Sequence, residues 1–243
     1  AGAVVGATKA VIAPERALPL IGMTSLGSSC LKYMKTLKPA LEQRGFEVAI
    51  FHSTGMGGMA FEKLAGEGAF ACVMDFSMQE FGNLMAGSLV SSGEDRLTNA
   101  GRVGTPQIVA PGALDLLDFA GWQTIPEQYA DRPFHEHNRL IKSSVFNAEE
   151  RRAWVRELAN RLSVAKGETH FILPLGGVED WDRIGGETHD PEGLAALIDE
   201  TRKVMPAAAP MTEVDAHIND PEFCDAVLAL FDRWVAEGIV KKG

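Results

Sequence analysis

The chain has 243 residues, 46% of them hydrophobic, and its 23 Lys and Arg against 33 Asp and Glu give a formal net charge of −10. This length and apolar content suffice for one sizeable hydrophobic core. An acidic chain without a Lys/Arg cluster argues against nucleic acid as a partner. No apolar run approaches the roughly 18 residues that span a bilayer, so we also predict no membrane partner.

The cysteines and the first residues bear on the cellular location and the domain organisation. Cys30, Cys72 and Cys224 are widely spaced and form no Cys-x-x-Cys pair, so we predict no metal site and a reducing, cytoplasmic location. Residues 1–18 are rich in small residues and lack the features of a signal peptide. We interpret them as an interdomain linker or arm, and residues 19–243 as one domain.

Short apolar runs alternate with amphipathic segments along the chain. The predicted strands cover residues 20–24, 46–51, 70–74, 107–110, 170–173 and 212–214. The predicted helices cover residues 31–41, 59–64 and 79–84, and three more begin after the caps Asn147, Asp190 and Asp220. The alternation predicts an α/β, Rossmann-like three-layer open sheet, mostly parallel, with helices on both faces. Residues 114–147 show no sustained period, and we predict mostly loop with short helical pieces there.

The most informative segment is FHSTGMGG, which directly follows the second predicted strand. Its glycines let backbone N–H groups approach a ligand, and ligands of open α/β sheets bind beyond the carboxyl ends of the strands. The predicted ligand contacts in this segment are His52, Ser53, Thr54, Gly55, Gly57 and Gly58. The alternatives are a tight turn before a helix and, for His52, a structural role instead of proton transfer.

The loop after the first predicted strand leads into a helix N-terminus, where free N–H groups and the helix dipole favour an anion. Its predicted ligand contacts are Ser25, Gly27, Ser28 and Ser29. Ordinary helix capping by Ser28 or Ser29 is the alternative.

Further polar and glycine-rich turns follow the other strands. Asp75 could accept from a ligand hydroxyl or cap the next helix, and Arg96 could bind an anion or form a surface pair. Further backbone contacts to the ligand at the same edge are predicted from Pro111, Gly112, Ala113, Gly176 and Gly177.

Two histidines besides His52 are candidates for proton transfer. His137 lies in the HEHN segment, where His135 and His137 would need a third ligand to hold a metal. His217 follows the last predicted strand and could face the cleft or help to cap the final helix.

Five segments, in this order, resemble the UPF0261 family, also called the Tm-1-like ATP-binding proteins: FHSTGMGGMAFEKL, DRLTNAGRVGTPQIVAPGALDLLDF, HEHN, PLGGVEDWD and DAHINDPEF. The resemblance runs from about Leu18 to Trp234. It implies a two-domain protein of Rossmann-like halves, with this chain as the C-terminal half and the N-terminal half as its partner. It also implies ATP or another nucleotide as the cofactor. The sequence departs from the family at residues 142–144, where Lys-Ser-Ser replaces Arg-Thr-Thr. An arginine can bind an anion through two parallel hydrogen bonds, whereas the lysine ammonium group acts as a point charge.

Three functions remain open on the sequence. The first is a nucleotide or phosphorylated small-molecule binding domain, in which Arg96 or Lys142 offsets the ligand's phosphate or carboxylate charge. The second is a hydrolase or lyase acting on a small acid, in which His52 moves the proton with His137 or His217. The third is a non-catalytic protein-interaction module, which would expose an apolar patch and no polar cleft. We also expect a homo-oligomer.

Overall fold

The computed structural model describes residues 2, 5, 6, 18–136 and 139–242, so most of the predicted arm and His137 lie outside the described residues. In chain order the strands are β1 (Leu20–Ser25), β2 (Glu47–His52), β3 (Cys72–Asp75), β4 (Gln107–Val109), β5 (Leu116–Ala120), β6 (His135–Glu136), β7 (Ile141–Val145), β8 (Thr169–Pro174) and β9 (Met211–Val214). The helices are α1 (Lys32–Gln43), α2 (Met56–Gly66), α3 (Gln79–Met85), α4 (Asn99–Val103), α5 (Ala148–Ser163), α6 (Pro191–Val204) and α7 (Pro221–Ala236).

The helix ends follow the local sequence. The Asn147 side chain accepts the N–H of Glu150, whose own side chain accepts the N–H of Asn147, which completes a capping box before α5. Helices α6 and α7 each begin with proline, whose missing N–H would have no acceptor in the first turn. Gly45, just beyond α1, takes a φ of 87°, which glycine adopts without strain.

The main sheet has the order β2-β1-β3-β4-β8-β9, and all of its pairs are parallel. Side chains alternate across it. Ile21 and Met74 pack with α1 and α7 on one face, and Val109 and Phe171 pack with α5 and α6 on the other. The predicted three-layer α/β fold is confirmed.

A second, antiparallel sheet has the order β5-β7-β6 and pairs Asp118 with Ser143. The prediction of mostly loop over residues 114–147 missed this sheet, although a short 3-10 helix at Glu127–Tyr129 agrees with the predicted helical pieces. Strand β5 is buried at every position and shows no alternation of polar and apolar residues, while β6 is only two residues long. The small sheet packs beside α3 through Ala86, Leu117 and Phe146. It also lines a cavity together with the loops that follow β1 and β2.

No helix in the described part of the chain is long and apolar enough to cross a bilayer.

Candidate functional site

A cavity of about 140 Å³ separates the carboxyl edge of the main sheet from the small sheet. Its lining comes from the loop after β1 (Leu26, Gly27, Ser28, Ser29), the loop after β2 (His52, Thr54), α3 (Gln79), β5 (Leu116, Asp118), β7 (Ile141, Ser143) and Trp181. A second cavity of about 330 Å³ shares Ser143 and Trp181 with the first and extends to Phe134 and Thr188. The two cavities adjoin at these shared residues, and we call them together the cleft; the loops after β1 and β2 line the first cavity, and the small sheet lines both.

The loop after β1 is a tight turn in which Leu26 and Cys30 exchange backbone hydrogen bonds of 3.2 and 2.9 Å. Helix α1 has Leu31 as its N-cap, without a side-chain cap bond. Its first N–H, on Lys32, donates to Oδ1 of Asn219 over 3.2 Å. The alternative of capping by Ser28 or Ser29 is therefore wrong, and Ser28 stays exposed at the cavity.

His52 meets this loop through its ring. The N–H of Gly27 donates to Nδ1 of His52 over 3.3 Å. In a neutral imidazole one nitrogen accepts and the other carries the proton. Nδ1 is the acceptor here, so Nε2 carries the proton and His52 offers a hydrogen-bond donor at the cavity wall.

The glycine-rich loop after β2 binds a carboxylate of the protein itself. The N–H groups of Gly55 and Gly58 both donate to Oε1 of Glu80, the latter over 3.1 Å. A Cβ on Gly58 would overlap this carboxylate, and a Cβ on Gly57 would overlap the His52 carbonyl. Burial raises the pKa of Glu80 to about 7. Glu80 thus occupies the nest in which the sequence predicts an anionic ligand.

Two of the predicted serines lie beneath the cavity and do not line it. Ser25 and Ser53 are buried. Oγ of Ser53 lies 3.0 Å from the Ser25 carbonyl oxygen and 2.6 Å from Oγ of Ser77. These bonds tie the ends of β1 and β2 to the turn after β3.

Asp75 and Arg96 pair with each other away from the cavity. Nη2 of Arg96 donates to Oδ1 of Asp75 over 2.6 Å, and Nη1 donates to the other carboxylate oxygen. Both side chains are buried, so the alternative of a surface pair was wrong. The N-cap of α3 is Met78, so the alternative of capping by Asp75 was wrong too. Glu62 also pairs with Arg96, at 3.2 Å.

The turns after β4 and β8 lie at the same edge of the sheet, but they contact other loops instead of the cavity. Met78 donates its N–H to the carbonyl of Gly112 over 2.6 Å. Pro111, Gly112, Ala113 and Gly177 are buried and Gly176 is exposed. None of the five lines the cavity.

His217 links two loops below this edge. Its Nδ1 accepts the N–H of Asn219 over 3.0 Å, and Nε2 lies 2.8 Å from the carbonyl oxygen of Glu179 and 3.0 Å from Oδ1 of Asp182. The side chain is buried and lies outside the cavity lining. Both ring nitrogens are used in holding the loops after β8 and β9 together.

The cavity contains four polar or aromatic side chains that the sequence analysis did not select as ligand contacts: Gln79, Asp118, Ser143 and Trp181. Asp118 and Trp181 belong to the segments PGALDLLDF and PLGGVEDWD, which carried the family resemblance and were the available signal. Ser143 donates its hydroxyl hydrogen to Asp118. Burial raises the pKa of Asp118 to about 6.

The cleft has little positive charge. Neither cavity has a lysine or arginine among the described residues that line it, and Lys142 is not part of either lining. No group of three or more His, Cys, Asp or Glu side chains within the described ranges is placed to hold a metal ion.

Comparison with known proteins gives consistent matches. The family model described as "Uncharacterised protein family (UPF0261) C-terminal domain" matches residues 18–235. The UPF0261 protein BMEII0128 of Brucella melitensis biotype 1 is 57% identical over 242 residues, which is 100% of this chain and 58% of that protein. A UPF0261 protein of Clostridium tetani is 34% identical over 86% of this chain and 52% of its own length. The ToMV resistance protein Tm-1(GCR237) of Solanum lycopersicum is 28% identical over 87% of this chain and 28% of its own length. The chain therefore spans little more than half the length of these bacterial relatives.

Proposed function

This chain belongs to the UPF0261 family, and we propose that its domain binds a small organic acid or phosphate monoester in the cleft between the two sheets. One observation carries the proposal. The hydrogen-bond donors of the loops after β1 and β2 share a cavity of about 140 Å³ with the polar side chains of β5 and β7. Concave sites with a few convergent polar groups on apolar walls are typical of small-molecule binding.

The anionic end of the ligand would lie against Gly27, Ser28 and His52. Ser28 offers an exposed hydroxyl, and Nε2–H of His52 offers a second donor because Gly27 occupies Nδ1. The loop is held in place beforehand, since the Ser29 carbonyl accepts from the side-chain amide of Asn219 at 2.6 Å and from the N–H of Asp180 at 2.9 Å. A loop that is already ordered loses less entropy when a ligand binds.

The charge of the cleft favours a ligand with a single acidic group. A triphosphate is usually bound by lysine, arginine or a metal ion, and neither lysine nor arginine lines the described walls of either cavity. The glycine nest that the sequence offered for phosphate is occupied by Glu80. ATP binding stays a prediction, as do the pairing with an N-terminal half, the homo-oligomer and the cytoplasmic location.

The hydrolase or lyase alternative also stays a prediction, and the geometry gives its residues different roles. In the neutral tautomer with Nε2–H, His52 donates to an oxyanion and does not accept a proton at that atom. His217 lies outside the cavity and cannot act there together with His52. The polar cleft supports ligand binding over the third reading, a protein-interaction module without such a cleft.

The test is calorimetric titration of the chain with acetate, glycolate, glycine, ethyl phosphate and O-phosphoethanolamine, with native mass spectrometry of the purified protein to detect acids that co-purify. His52→Phe removes the donor and keeps a ring, and His189→Phe is the matched control because His189 is exposed and lines neither cavity. A hydrogen bond to a charged group is worth about 1.5–3 kcal/mol, so we expect His52→Phe to weaken binding at least about tenfold and His189→Phe to leave it unchanged. The proposal fails if no acid binds or co-purifies, or if His52→Phe binds as tightly as wild type.

A further inference from the structure

Asp118 is a cavity carboxylate that its neighbours hold in a fixed position. Its backbone N–H donates to Oδ1 of Asn83 over 2.8 Å, and its carbonyl accepts from the hydroxyl of Ser88. On the side chain, Oδ1 accepts from the hydroxyl of Ser143 on the neighbouring strand β7. Three separate elements therefore fix where this carboxylate lies, which is how sites that act on ligands are usually built.

The hydrogen bond from Ser143 compensates this carboxylate only in part. Asp118 is 2% exposed, and burying a carboxylate is costly unless donors or a cation compensate it. Burial raises its pKa and the hydrogen bond from Ser143 opposes that rise. A ligand that brings a hydrogen-bond donor to the cavity would supply the missing compensation.

The proposed donors and acceptor line one cavity, and its volume is that of a small molecule. Ser28 and His52 present donors and Asp118 presents an acceptor, and all three line the same space of about 140 Å³. A cavity of about 150 Å³ holds a molecule of benzene's size. A compact ligand that contacts the donors is therefore close enough to contact the acceptor as well.

Resting on the function proposed above, we infer that the ligand carries a hydroxyl or ammonium group that donates to Asp118, beside the acidic group that the donor loops bind. This chemistry defines a class of hydroxy acids, amino acids and phosphorylated amino alcohols. A plain carboxylic acid or alkyl phosphate lacks the second group and brings no further donor to Asp118. The second cavity, lined by Phe134 and Trp181, has room for any apolar remainder of such a ligand.

Matched probes test this inference in the wild-type chain. Glycolate and glycine differ from acetate by one hydroxyl or one ammonium group, and O-phosphoethanolamine differs from ethyl phosphate by one ammonium group. Because a hydrogen bond between charged groups is about twice as strong as a neutral one, we expect at least one donor-bearing probe to bind about tenfold tighter than its plain counterpart. Tighter binding of glycolate than of acetate would indicate a ligand with a hydroxyl group. Tighter binding of glycine than of acetate, or of O-phosphoethanolamine than of ethyl phosphate, would indicate a ligand with an ammonium group.

The variant Asp118→Asn tests whether Asp118 causes the tighter binding of the donor-bearing probes. Asparagine keeps an oxygen for the Ser143 hydroxyl and removes the charge, so we expect the affinity gap between glycine or glycolate and acetate to close. Asp131→Asn makes the same charge change at an exposed position outside both cavities, and the gap should persist. Equal affinities for all members of a matched set in wild type, or a gap that survives Asp118→Asn, would overturn the inference and leave acid binding standing. If no acid binds at all, both proposals fall together.

Discussion

The carboxylate of Glu80 accepts the backbone N–H of Gly58 over 3.1 Å, in the nest where a ligand anion was predicted. The same oxygen accepts the N–H of Gly55, and Arg96 lies 3.4 Å from the other carboxylate oxygen. The glycine-rich loop therefore makes an internal tether between α2 and α3. The space proposed for a ligand is the cavity that His52 and Thr54 line together with the small sheet.

Gly58→Ala tests this tether through stability. A Cβ at residue 58 would overlap the Glu80 carboxylate, which is buried and cannot move into solvent. Forced overlap in a packed region costs about 1–3 kcal/mol, so we expect the free energy of unfolding to fall by about that much in urea denaturation. Met59→Ala, at an exposed position on the same helix, should change it far less. Equal stabilities for the two variants would mean that Glu80 is not tightly held.

Arg96→Met tests whether the buried charges depend on one guanidinium. Arg96 pairs with Asp75, Glu62 and Glu80, and all four side chains are buried. Removing one partner of a buried ion pair typically costs about 3–5 kcal/mol because the other charge is left uncompensated. We expect a loss of that size by equilibrium denaturation. Arg102→Met, at an exposed position, serves as the control, and a comparable loss there would contradict the assignment.

The free energy of unfolding should fall as the pH rises because of Glu179. Burial, followed by the nearby Asp115 carboxylate, raises the pKa of Glu179 to about 9, whereas an unfolded chain has a glutamate pKa of about 4.3. A carboxyl whose pKa is raised on folding stabilises the fold fully below its unfolded pKa. That contribution is lost as the pH rises through the folded pKa. We therefore expect wild type to lose stability relative to Glu179→Gln between about pH 5 and pH 9.

The glutamine at position 179 can keep both existing bonds. Its oxygen accepts the N–H of Trp181, as Oε2 does now at 2.7 Å, and its amide group faces the Thr188 hydroxyl, which can accept. Thermal unfolding across the pH range is the measurement. Glu187→Gln, at an exposed position in the same loop, should run parallel to wild type. A flat difference between wild type and Glu179→Gln would show that Glu179 titrates normally.

The tautomer of His52 is directly measurable. Because Gly27 donates to Nδ1, the neutral ring should carry its proton on Nε2. Nitrogen-15 chemical shifts of the side chain at a pH above its titration should then show Nδ1 as the unprotonated nitrogen. A Nδ1–H tautomer in wild type would remove the donor that the proposed binding site requires.

The success of the sequence predictions depended on how local each signal was. Asn147, with Glu150 three residues later, specifies a helix start within one turn. The four central strands of the main sheet, β1, β3, β4 and β8, are buried at every position, and they stood out as short apolar runs because both faces of a parallel sheet are covered. Strand β5 is also buried, but it contains Asp118, and its partner β7 has the polar run Lys142 to Ser144. Their pairing is a long-range contact that no local pattern announces.

The order of strands and helices, and hence the edge at which the loops gather, could be derived from the chain because parallel strands joined by helical crossovers all point the same way. The partners of the charged side chains at that edge could not be derived from the chain. Arg96 joins Asp75 instead of a ligand, Glu80 enters the glycine nest, and Asp118 comes to line the same cavity as His52. Each of these outcomes depends on which side chains packing brings within about 3 Å, the range over which hydrogen bonds form. Residues distant in sequence reach that range only in the folded chain.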